Sequence, residues 1–141
     1  MTRTGSAVWH GGLMDGKGTV STEAGVLSNT PYSFSSRFEH GTGTNPEELL
    51  GAAHAGCFSM ALSAVLGESH ITVESIETSA AVTVEKVGDG FSITSVALKT
   101  AVSAPGADKE KVEAAILGAK AGCPVSKLFN TTITIESTVN V

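Results

Sequence analysis

The chain has little cysteine, few aromatics and no concentration of positive charge. Two cysteines in 141 residues are too few for the disulfide framework of a small secreted domain. Nine Lys and Arg against 14 Asp and Glu leave a net charge of −5. No stretch is rich in Lys or Arg, which argues against a nucleic-acid or membrane-surface partner. The opening MTRTGSAVWHGG holds no apolar run of signal-peptide length, so a reducing cytoplasm is the expected location. Aromatics make up 5% of residues while Gly, Ala, Ser and Thr abound, which predicts close backbone packing. The length predicts one domain, residues 1–141, with room for a core that needs no disulfide support.

What is present begins with an uncharged run from Leu49 to Leu66. It approaches transmembrane length. Yet it contains Gly51, His54, Gly56, Ser59 and Ser63, its flanks are acidic (Glu47, Glu48, Glu68), and no Lys or Arg marks a cytoplasmic end. It reads as a central helix, apolar on nearly all sides and therefore buried nearly all round. A chain this small has difficulty burying such a helix alone, so a second subunit is expected.

Other segments punctuate clearly. Ser6–Trp9 and Lys17–Ser21 read as strands across the glycine-rich HGGLMDGKG. Asn29–Pro31 reads as a turn. Tyr32–Glu39 alternates, with Tyr32, Phe34, Ser36 and Phe38 on one face and Ser33, Ser35, Arg37 and Glu39 on the other, which predicts a strand. Pro46 suits the first turn of a helix capped by Thr44 or Asn45 and stopping at Gly67. Thr44-x-x-Glu47 fits a capping box. Thr72–Lys86 and Phe91–Ser103 form a hairpin about VGDG. Asp108–Ala121 reads as an amphipathic helix with Val112, Ala115, Ile116 and Ala119 on its apolar face, followed by CPVSKLF and a strand at Thr131–Val139. The order predicts an α+β fold with a mostly antiparallel sheet.

The two thiols carry the chemical question. Taken alone, Cys57 fits an inert core hydrophobe. A reactive cysteine needs a cation, a helix N-terminus or a strong donor, and Cys57 lies about three turns from the start of its helix, beyond the reach of its dipole. His54, one turn earlier, and Arg37 are the candidate cations. Arg37 offers forked, permanently charged donors. Glu47 and Glu48 suit a helix N-terminus, and either is placed to orient Arg37 by a bidentate pair. Glu47 and Cys57 stand about 15 Å apart along an ideal helix, so a site using both requires a second subunit. Cys123 precedes Pro124, which places it near the start of a short helix, either as a structural thiol or as a resolving one. A zinc site from His54, Cys57 and Cys123 lacks a fourth ligand and the usual close ligand pairs.

RFE, TNPEELLGAAHAGCFSMALS and KAGCPVS together resemble the OsmC/Ohr family of thiol-dependent peroxidases. The early KGTVSTEAGVLSNTPYSFSSRFE is similar to the osmotically inducible OsmC branch. The resemblance implies an OsmC-like, intertwined homodimer with central helices packed together. It implies Cys57 as peroxidatic cysteine, Cys123 as resolving cysteine, and Arg37 as thiolate-activating residue paired with Glu47. It also implies an organic hydroperoxide substrate, a dithiol reductant of lipoyl type or a small thiol, and no haem, flavin or metal. His54 and Glu48 receive no chemical step. Two other readings of the residues stand beside it. One is a non-catalytic protein holding a hydrophobic ligand in an apolar interface. The other is a cysteine hydrolase using Cys57 and His54, which lacks a third orienting group.

Overall fold

The computed structural model describes residues 1–141. The chain forms two compact units, Met1–Leu49 and Leu50–Val141.

The first unit is built on an antiparallel sheet of β1 (Gly5–His10), β2 (Lys17–Thr22) and β3 (Thr30–Tyr32), in that order. Gly18 pairs with Trp9 on one side and Tyr32 on the other. A Cβ there would run into both rings, which lie 5.4 Å apart. The predicted turn at Asn29–Pro31 is shorter than expected. Asn29 takes the left-handed conformation at φ 48°, but Thr30 and Pro31 already belong to β3, an edge strand that tolerates proline.

The strand expected at Tyr32–Glu39 is corrected. Only Tyr32 is strand, and Phe34–Phe38 is a helical turn, α1. Ser33 caps it reciprocally. Its Oγ accepts from the Ser36 N–H at 3.2 Å, and Ser36 Oγ accepts from the Ser33 N–H at 2.8 Å. The alternation misled because residues four apart share a face in a strand and in a helix alike. Phe34 and Phe38 do stack, with ring centroids 5.0 Å apart.

Helix α2 (Pro46–Glu68) follows. Its cap is Asn45, whose Oδ1 accepts from the Glu48 N–H at 2.8 Å. The predicted Thr44–Glu47 capping box does not form. Thr44 Oγ1 donates to Glu48 at 2.6 Å, which leaves Glu47 free for another partner. Helix α2 also runs through Gly67, and the left-handed residue beyond it is His70 (φ 55°).

The second unit has a sheet ordered β4 (Ser75–Val87), β5 (Gly90–Ser103), β6 (Thr132–Asn140). β4 and β5 form the expected antiparallel hairpin, closed by Gly88 and Asp89 between Val87 and Gly90. β6 joins β5 in parallel, because the chain returns through α3 (Lys109–Gly122) and α4 (Pro124–Leu128). Asp108 caps α3 by accepting from Glu110 and Lys111 N–H groups at 3.0 and 3.2 Å. The predicted face of α3 is the buried one: Val112, Ala115, Ile116 and Ala119. They join Phe58, Leu62 and Leu66 of α2, Leu98 and Val102 of β5, and Cys123 in one core.

Gly51 lets α2 approach the sheet closely, since a Cβ would stand 2.6 Å from the Ala80 carbonyl oxygen. By length and composition α2 is apolar enough to cross a membrane, but it serves as a core helix. Within one chain its burial is one-sided, in keeping with the expectation that a chain this small has difficulty burying such a helix alone. Gly51, His54, Phe58, Leu62 and Leu66 form the buried stripe. Ala53, Gly56, Met60 and Ala64 form an exposed one, with Met60 77% exposed. One sheet and one covering helix supply a single apolar surface, while α2 carries two.

Candidate active site

The expected site residues assemble as two pairs, one in each unit. In the first unit Arg37, in the last turn of α1, meets Glu47, in the first turn of α2. Arg37 Nε donates to both carboxylate oxygens at 3.1 and 3.2 Å, and Nη2 donates to Oε1 at 2.8 Å. The fork fixes the plane of the guanidinium. The Arg37 Cζ also lies 5.0 Å from the centre of the Phe38 ring. The Glu47 side chain is 9% exposed and that of Arg37 38%. Solvent screens the pair from the arginine side, so its contribution is orientation more than stability. Arg37 lines a cavity of about 190 Å³ whose other walls include Trp9, Leu13, Tyr32, Phe34 and Phe38. A cation thus borders an apolar recess.

In the second unit the two thiols meet. Cys57 lies mid-way along α2, and Cys123 stands at the joint where α3 ends and α4 begins with Pro124. Their sulfurs are 2.8 Å apart and both are free. A disulfide requires about 2.05 Å, so a small displacement joins them. Burial pushes the Cys57 thiol above its ordinary value, reinforced by the Cys123 thiol and opposed by the Val125 N–H. None of these influences is a cation. Burial also opposes ionisation of Cys123, but the adjoining Cys57 thiol and the Ser126 and Val125 groups at the start of α4 outweigh it, so its thiol lies below the ordinary value; in the bond between the thiols Cys123 Sγ is the donor and Cys57 Sγ the acceptor. The Cys123 side chain makes no capping bond at the start of α4. The resemblance assigns first attack to Cys57, so that assignment requires a cation from outside the pair.

His54 is fully buried one turn before Cys57 on the same helix. Its Nε2 lies 2.7 Å from Ser126 Oγ, its ring is 5.2 Å from that of Phe129, and Nδ1 has no partner. Burial lowers its pKa. Its hydrogen bond therefore goes to Ser126 and not to Cys57. No group of three or more His, Cys, Asp or Glu side chains is arranged to hold a metal ion. Glu48 is occupied by Thr44 and the helix start. Ser126 is the site residue that sequence reasoning passed over.

The chain as a whole matches known proteins. A family model described as OsmC-like protein matches residues 39–138. The chain is 54% identical over 134 residues to Peroxiredoxin OsmC of Escherichia coli (strain K12), covering 95% of this chain and 94% of that protein. It is 32% identical over 111 residues to the organic hydroperoxide resistance protein OhrB of Bacillus subtilis (strain 168), covering 78% and 79%. The crystal structure of Bacillus subtilis OhrB superposes with a TM-score of 0.70 at 27% identity, covering 96% of this chain and 98% of that one. The higher identity to the OsmC relative accords with the branch that the early segment resembles. By sequence and by fold, the chain belongs to the OsmC-like family.

Proposed function

We propose that the protein is a cysteine-based peroxidase that reduces organic hydroperoxides to alcohols in oxidative stress defence. The observation that carries this reading is the 2.8 Å approach of two free thiols. An inert core would have no use for such a pair. The E. coli relative is named a peroxiredoxin and the Bacillus one an organic hydroperoxide resistance protein.

The Cys57 thiolate attacks the distal peroxide oxygen, the O–O bond breaks, and an alcohol leaves after taking a proton. Cys57 becomes a sulfenic acid. Cys123 attacks that sulfur, the S–S bond forms, and the S–O bond breaks with loss of water. A dithiol, of lipoyl type, then restores both thiols and is itself oxidised to a disulfide. Arg37 supplies the cation that Cys57 lacks and stabilises charge developing on the peroxide. Glu47 holds the guanidinium in plane, and the apolar recess beside Arg37 suits an organic tail. Residues 1–141 act as one peroxidase domain, cytoplasmic, in an intertwined homodimer. The exposed stripe on α2, small at Ala53, Gly56 and Ala64 and apolar at Met60, supports that assembly, because it lets two such helices pack together.

Counting free thiols before and after one equivalent of an alkyl hydroperoxide tests the chemistry. The expected result is loss of both thiols in the wild type and a trappable sulfenic acid in Cys123→Ser. Unchanged thiols in folded protein would overturn the reading. Sedimentation tests the assembly, where a monomer at micromolar concentration would remove the dimer.

A further inference from the structure

The peroxidase chemistry uses Cys57 and Cys123, yet a second buried pair joins the same two segments one turn away. His54 lies one turn before Cys57 on α2, and Ser126 lies one turn after Cys123, within α4. Its hydroxyl stands 2.7 Å from His54 Nε2, although the two residues are 72 positions apart in sequence. Both are buried. His54 Nδ1 has no partner, so Ser126 is the sole hydrogen-bond partner of the ring. Residues one turn apart share a helix face. The two cross-links therefore run side by side, sulfur to sulfur at 2.8 Å and imidazole to hydroxyl at 2.7 Å. A single link lets a segment pivot, whereas two fix both its distance and its direction.

Helix α4 needs such a link. It is five residues long, too short to be stable as an isolated helix. The Cys123 backbone is tied within its own segment, its N–H donating to the Ala119 carbonyl at 2.9 Å and its carbonyl accepting from the Lys127 N–H at 3.1 Å. Those bonds leave the distance from α2 to side-chain contacts. The sulfur contact changes at each step of the cycle: an oxygen is added to Cys57 in the sulfenic acid, and a covalent bond replaces the contact in the disulfide. The imidazole–hydroxyl bond involves neither sulfur. Packing alone does not call for it, because an apolar pair of similar size would fill the space without burying polar groups. What the hydrogen bond adds is direction, which apolar contact lacks.

Resting on the peroxidase reading above, we propose that the His54–Ser126 hydrogen bond is a strap that keeps Cys123 within reach of Cys57 while the disulfide forms, with both residues in positioning roles. In that step Cys123 attacks the sulfenic sulfur of Cys57. The S–S bond forms, the S–O bond breaks, and the departing hydroxide leaves as water with the proton that Cys123 gives up. The strap holds through the reduced, sulfenic and disulfide states. Without it Cys123 swings away and the sulfenic acid lives longer. A second hydroperoxide molecule then oxidises that sulfur to the sulfinic acid and is itself reduced to an alcohol.

Stopped-flow mixing separates the two cysteine steps. Reduced wild type, Ser126→Ala, His54→Gln, His54→Asn and the apolar double variant His54→Leu with Ser126→Ala each meet one equivalent of cumene hydroperoxide. Sulfenic acid is trapped with a diketone, and disulfide is followed as thiol loss. All are expected to form sulfenic acid at the wild-type rate. Ser126→Ala should close its disulfide about tenfold more slowly, the cost of a modest misplacement of a reacting group. The double variant should be no slower, because both changes remove the same bond. Its urea midpoint should stay near that of wild type, since neither member of the pair is left buried and unpaired. The Gln amide reaches the place of Nε2, so His54→Gln should keep wild-type closure. The Asn amide reaches only the place of Nδ1, so His54→Asn should be as slow as Ser126→Ala. With excess peroxide the slow variants should gather sulfinic acid on Cys57, read by mass spectrometry. Wild-type closure in Ser126→Ala or in the double variant would overturn the proposal while leaving the peroxidase reading intact. So would a His54→Gln as slow as His54→Asn, or a double variant far slower than Ser126→Ala. Failure of the wild type to form any sulfenic acid or disulfide would instead sink the peroxidase reading. Ser126→Ala removes one oxygen, so it decides the matter even if the His54 variants do not fold.

Discussion

The Arg37–Glu47 pair and the Cys57–Cys123 pair solve opposite problems. The first is permanently charged, keeps one partner in solvent, and gets its precision from a fork of three hydrogen bonds. The second is two thiols, Cys123 buried and Cys57 half-buried at the edge of the apolar core, where burial opposes ionisation. For the proposed chemistry, neither pair is sufficient alone. A screened cation has little effect in water, and an enclosed thiol has no charge with which to attack.

The largest effect that would break this division comes from the buried pair. Cys57→Ser is expected to abolish peroxide consumption, whereas Cys123→Ser should complete one turnover and stop at the sulfenic acid, as read by mass spectrometry. Next comes the charged pair. Arg37→Ala should slow sulfenic acid formation by about 10²–10³-fold, the cost of losing one preorganised donor. Its melting temperature should barely move, because the arginine is half in solvent. Arg37→Lys should recover only part of the rate, since an ammonium cannot reproduce the fork. A fully active Arg37→Ala would break the comparison outright. Glu47→Gln should cost less, about tenfold, by loosening the guanidinium without removing its charge; stopped-flow rates at fixed peroxide would resolve the difference.

The smallest effect concerns pH and stability. Burial lowers the His54 pKa from its ordinary 6.5, so below that value the unfolded chain binds a proton that the folded one refuses. Stability should therefore fall as pH drops through about 6.5 and below. Urea midpoints between pH 5 and 8 would measure the slope, and His54→Gln should flatten it. An unchanged slope would show that other groups carry the acid sensitivity.

Legibility varied with the range of the interaction. The apolar face of α3 and the turn between β4 and β5 follow from local spacing, and both appeared where the pattern placed them. Helix α1 was hidden, since Phe34 and Phe38 look alike at a period of 2 and near 3.6, and the Ser33–Ser36 cap was the signal that would have decided it. The Thr44–Glu47 box was a correct motif with the wrong occupant. Asn45 took the cap, and Glu47 turned to Arg37 ten residues upstream. The His54–Ser126 bond had no local signature, because its partners meet only once α2 and α4 pack.

By itself, the sequence determined the family, the α+β class and the position of the thiols, because motifs and hydrophobic periods act through near neighbours. Only the tertiary structure decided which face of α2 is buried, how close the two sulfurs stand and which polar group pairs with His54. Those depend on distance between segments far apart in the chain, and burial, hydrogen bonding and acidity all change steeply over the few ångströms that packing alone sets.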